Sequence, residues 1–149
     1  MKVISSFFIV FFLTSCVQIS TNNINSPYEE FSTFVKLIQT KKYDSALLML
    51  SSKNQYRFAN QENGEDFETF FPFFSSASTV VVNELAHYQK INNLKACLTV
   101  SGSNSDKEPT SLNFEMLLEN GKWKFNYIHM AYHGSEEELP IIVSCPKLP

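Results

Sequence analysis

A chain of 149 residues, 44% of them hydrophobic, has material for one folded core and not for two of ordinary size. Its formal charge is −3 and Arg57 is its only arginine, so it lacks the clustered cations that nucleic-acid phosphates require. No nucleic-acid partner is expected, and no motif in the chain calls for a cofactor.

The first segment is a leader. Lys2 and the amino terminus precede an apolar run over residues 3–13, and Thr14 and Ser15 follow, the order of a secretory signal. The run is about half the roughly 20 apolar residues that a membrane span needs. Leu13-Thr14-Ser15-Cys16 resembles the bacterial lipobox, an aliphatic residue and two small ones before an obligatory cysteine. The resemblance implies that residues 1–15 are a lipoprotein signal peptide and that Cys16 carries a diacylglyceryl thioether on an acylated amino terminus. Each buried CH₂ contributes about 0.8 kcal/mol, so two or three chains hold the protein on a membrane. Val17, where an aspartate would imply the inner membrane, implies the outer membrane and a periplasm-facing domain. The other reading is an ordinary signal peptide with Cys16 as a bystander. Residues 16–25 are polar, lack periodicity and read as a tether, leaving residues 26–149 as a single domain.

The domain opens on helices. Ser26-Pro27-Tyr28-Glu29 is a capping box with proline at the first helical position. Tyr28, Phe31, Phe34, Val35, Leu37 and Ile38 then form an apolar stripe, and Lys41 and Lys42 suit the negative helix end. Asp44 is expected to cap a second, shorter helix through Leu50, and residues 51–64 form a loop with at most one short element. In "EDFETFFPFF", residues 65–74, Phe67, Phe70, Phe71 and Phe74 share a helical face, Asp66 is a cap, and Pro72 ends or kinks the helix.

Strands follow from Thr79. A β-branched run leads to Tyr88, Asn92-Asn93 makes a turn, and Leu94, Ala96, Leu98 and Val100 alternate with Lys95, Cys97 and Thr99. Leu112, Phe114, Met116 and Leu118 alternate next, Asn120-Gly121 is a hairpin turn, and Trp123, Phe125 and Tyr127 continue on the returning strand. The expected fold class is α+β, with N-terminal helices on one face of a curved antiparallel sheet of about four strands.

That element order resembles the cone-shaped nuclear transport factor 2-like fold. "KKYDSALLMLS", residues 41–51, resembles the helix corner of small bacterial lipoproteins of that superfamily, and "LNFEMLLENGKWKFNYI", residues 112–128, resembles their final hairpin. Pro72 departs from the pattern, since it interrupts a third helix expected to be long. The resemblance implies a cone that in many members holds a ligand or an active site, and in many others, such as anchored proteins with lumazine-binding-like domains, has no assigned activity. No position here matches a catalytic motif of the family.

Lipidation of Cys16 leaves Cys97 and Cys145 in a compartment where disulfides persist, so they form one bridge pinning the carboxy-terminal tail, or else Cys97 is a core residue and Cys145 a free thiol. Asp106 sits in a polar turn and is no better a catalytic base than the two caps. His129, in phase with Phe125 and Tyr127, is expected to face the interior, as a structural histidine or an acid–base group. His129 and His133 are too far apart on a strand, about 13 Å at roughly 3.3 Å per residue, to share a metal. Phe67, Phe70, Phe71, Phe73 and Phe74 either plug the cone or offer a binding surface, with Phe73 off the stripe. Glu136, Glu137 and Glu138 read as a solvated turn or as a docking surface for a basic partner.

The functional expectation is therefore a non-enzymatic, lipid-anchored envelope protein that binds a protein partner. The alternatives are a small-molecule binder or vestigial enzyme using the apolar cone with His129, and an immunity-type lipoprotein against a periplasmic toxin.

Overall fold

The computed structural model describes residues 24–146. The leader, Cys16 and most of the tether lie outside the described residues. Among those described, no helix is long and apolar enough to cross a membrane.

Helix α1 (Pro27–Gln39) starts at the capping box read from the sequence: Ser26 Oγ accepts from the Glu29 amide, and the Glu29 carboxylate accepts from the Ser26 amide at 2.6 Å. Its stripe buries Phe31, Phe34 and Ile38. The helix ends at Thr40, and Lys41 takes a positive φ of 55° while the Lys42 amide reaches back to Leu37 O. Helix α2 (Tyr43–Leu47) follows, with Lys42 at its N-cap; Asp44 is one residue inside the helix and makes no cap bond. The short chain of the carboxylate favours the first turn through the helix dipole alone. Helix α3 (Ser52–Ala59) is the one element in the polar stretch, capped by Ser51 Oγ on the Asn54 amide.

The phenylalanine-rich stretch is three single turns: α4 (Phe67–Phe70), α5 (Pro72–Ser75) and α6 (Ala77–Val80). Asp66 caps α4 through the Thr69 amide. Phe71 has ψ 60°, outside the helical range, because the proline ring after it disfavours helical backbone there, so Pro72 starts a new turn. The strand expected from Thr79 begins later, since Ala77–Val80 is still helical.

Strands β1 (Asn83–Asn92), β2 (Lys95–Ser103), β3 (Pro109–Glu119) and β4 (Lys122–Tyr132) form one antiparallel sheet in the order β1-β2-β3-β4. Asn93, with φ 53°, turns the first hairpin and leaves Leu94 in the turn, 66% exposed, rather than on the strand. Asn120 and Gly121, with φ 51° and 74°, turn the last hairpin as their sequence requires. The architecture is thus α+β, with the helices on one face. Phe34, Phe114 and Phe125 interlock at the centre with ring centroids 4.7 and 5.2 Å apart, packed by Leu98, Leu112 and Met116.

Two irregularities shape the sheet. Pairing slips between Glu84 and Ala86 on β1, and between Phe125 and Tyr127 on β4, where Asn126 is the extra residue opposite the Glu115–Met116 step. The second bulge reverses the facing of β4. Trp123 and Phe125 point into the core, but beyond Asn126 the inward residue is Ile128, and His129 is turned to the opposite face, where its side chain is exposed. The expected inward orientation of His129 is therefore corrected by one inserted residue.

Candidate functional site

The bulge also joins the helical layer to the sheet. The segment just before α3 runs along β4: the Ser51 amide donates to Phe125 O at 2.8 Å and the Phe125 amide donates to Met49 O at 3.0 Å. Asn54 Nδ2 donates to Asn126 O, Ser51 Oγ donates to Asn126 Oδ1 at 2.9 Å, and Asn126 Nδ2 donates to Glu115 Oε1. Helix α3 is held in this way beside the three phenylalanine turns.

Between them lies a cleft of about 250 Å³ whose walls include Asn54, Arg57, Phe70, Phe71, Phe73 and Tyr127. Phe71 and Phe74 are buried at its floor, Phe70 is half-buried, and Phe73 is 58% exposed at the rim. Phe58 meets Phe70 edge-on at 5.5 Å, and the Arg57 guanidinium lies 5.9 Å from the Phe70 ring centroid, a cation–π distance. The structure therefore brings together Phe70, Phe71, Phe73 and Phe74. Phe67 does not line the cleft; it is buried behind it, packed on Phe71 with ring centroids 5.5 Å apart and stacked on Tyr43.

Behind the sheet is a second, polar region. On the face away from the helices, Thr99 lies opposite Asn113 and Ser101 opposite Ser111, all buried. The Cys97–Cys145 disulfide crosses this face and fixes the carboxy-terminal tail to β2. The Ser144 amide donates to Thr99 Oγ1 at 2.9 Å, and the Thr99 hydroxyl donates to Asn113 Oδ1 at 2.7 Å. A cavity of about 300 Å³ under the tail is lined by Asn113, His129, Ser144, Cys145 and Pro146. His133 pairs instead with Ser111 Oγ at 2.9 Å. Glu115 sits beside this region: burial pushes its pKa up, but hydrogen bonds from Lys95 and Asn126 outweigh that and hold it below the usual carboxylate range. The acidic run forms a single exposed 3₁₀ turn, Glu136–Glu138.

The phenylalanines stand out in the sequence, whereas Arg57, Asn54 and Asn126, which complete the cleft, do not. The signal for Arg57 was its being the lone arginine; Asn54 and Asn126 carry none, because a bulge has no composition of its own. No family model, curated protein or solved structure matches the chain.

Proposed function

We propose that this is a lipid-anchored protein of the bacterial envelope, held through Cys16 at the outer membrane, whose nuclear transport factor 2-like domain binds another protein and carries out no chemistry. The observation that supports the reading is the exposure of Phe73 at the rim of an aromatic cleft while the core behind it is filled by Phe34, Phe114 and Phe125. An exposed aromatic side chain next to an arginine and further aromatic residues matches the residue types enriched at protein interfaces. The succession of helices and a four-stranded meander supports the superfamily resemblance.

The test is capture from detergent-solubilised envelopes with the tagged full chain, in parallel with Phe73→Asp and Cys16→Ser. Wild type is expected to retain a protein that Phe73→Asp loses, and Cys16→Ser is expected to leave the membrane fraction. Identical retention by wild type and Phe73→Asp would overturn the docking surface, and unchanged membrane partitioning of Cys16→Ser would overturn the anchor.

A further inference from the structure

The cleft beside Phe73 has one charged group in its wall, and that group has no assigned role. Arg57 is exposed on α3, and the ion pairs among the described residues, His87 with Glu84 and Lys95 with Glu115, do not involve it. The side-chain amide nitrogens of Asn54 and Asn126 are already engaged in the fold. Asn54 Nδ2 is taken by the carbonyls of Phe125 and Asn126, and Asn126 uses its side-chain oxygen for Ser51 and its amide for Glu115. Lys53, one turn before Arg57 on the same helix, is exposed and adds a second positive charge to α3. The domain as a whole carries net negative charge, so this corner is a local exception.

We infer that the cleft receives a segment of the partner protein that places a carboxylate side chain on Arg57 and the adjacent large apolar side chain among Phe70, Phe71 and Phe73. The inference rests on the protein-binding reading above and names the chemistry of its partner. Three features carry it. The guanidinium, a planar fork of donors that can take a carboxylate with two hydrogen bonds, lies 5.9 Å from the Phe70 ring centroid. The apolar walls lie directly beside it, so acid and apolar group must be neighbours in the bound segment. The volume, about 250 Å³, is below the roughly 300–1,000 Å³ of sites that enclose a free small molecule, and suits one inserted side chain. An arginine beside aromatic residues is also the composition that dominates binding energy at protein interfaces.

The probes are two capped dipeptides, N-acetyl-Glu-Phe-amide and N-acetyl-Gln-Phe-amide, titrated by ligand-observed NMR against the full chain in detergent. The glutamate peptide is expected to bind about tenfold more tightly, the scale of one charge-assisted hydrogen-bonded pair. Arg57→Gln is expected to bring the two peptides level, and Phe73→Ser to weaken both. Equal binding of the two peptides to wild type, no binding of either, or a charge preference that survives Arg57→Gln overturns the inference. Tighter binding of 4-phenylbutyrate than of the glutamate peptide overturns the partner segment in favour of a small apolar acid. In the envelope capture, a partner retained equally by wild type and Arg57→Gln overturns this inference and leaves the protein-binding reading standing.

Discussion

The Asn126 side-chain amide donates a hydrogen bond of 2.7 Å to the carboxylate of Glu115, tying the extra residue of a bulge to a nearly buried charge on the neighbouring strand. Lys95 Nζ holds the other carboxylate oxygen at 2.8 Å. Because the folded-state pKa of Glu115 is depressed, the stability it contributes is present above its unfolded value of about 4.3 and is lost as pH falls through the folded value. Glu115→Gln is expected to cost about 1–3 kcal/mol at neutral pH, since it weakens bonds to a desolvated charge. It is also expected to flatten the loss of stability as pH falls through and below about 4.3, the unfolded carboxylate value. Urea midpoints of wild type and variant across that range check both, and parallel pH profiles would count against the assignment. Glu29 and Asp66, also depressed by cap bonds, act equally in the two proteins and cancel in the difference.

Gly102 is required by proximity rather than by backbone conformation. A Cβ at this position would sit 2.0 Å from Asn83 O, a backbone atom of β1 next to the Glu84–Ala86 bulge. Gly102→Ala is therefore expected to force the β1 edge off β2 and to cost about 2–3 kcal/mol or more. Gly64 has the opposite character, with φ 63° and nothing within 4 Å of its would-be Cβ. Gly64→Asn, which tolerates that φ, is expected to stay within about 0.5 kcal/mol of wild type. Thermal or urea denaturation of the two variants gives the comparison, and similar losses in both would refute the distinction.

The disulfide joins residues 48 apart, and the chain-entropy scale gives about 4 kcal/mol for a closure of that length. Reduction is expected to lower stability by up to that amount and to raise hydrogen exchange at Ser144, whose amide bond to Thr99 lies next to Cys145. The double variant Cys97→Ser/Cys145→Ser is expected to match the reduced protein and to ignore reductant. Alkylation of the unreduced chain would show Cys97 and Cys145 protected; labelling of both would refute the bridge.

What could be read from the residues follows from how local the cause is. The capping box at Ser26, the break at Pro72 and the Asn120-Gly121 turn are set by neighbours in sequence, and all three stand in the structure. Alternation alone places Leu94 on a strand, yet the Asn93 turn takes it, since turn geometry overrides a two-residue period at a strand end. The facing of His129 departs from its strand phase for a nonlocal reason. The bulge at Asn126 is stabilised by Ser51 and Asn54 from a distant helix start, and no pattern within β4 announces it. The cleft was half legible on the same grounds: its phenylalanines form a run, whereas Arg57 reaches them only once α3 is docked on β4.

The bridge between Cys97 and Cys145 makes a closed covalent ring containing β3, β4 and the loops between them. A protease that cuts once anywhere inside that ring, at the exposed 105–108 turn or at Ile141–Ile142 on the tail, produces two pieces that stay attached. Hydrophobic packing by Phe114 and Phe125 then holds the clipped strands in place. For a protein proposed to live among extracytoplasmic proteases, a nick in this half of the chain is survivable damage, whereas a nick in the helical half severs it.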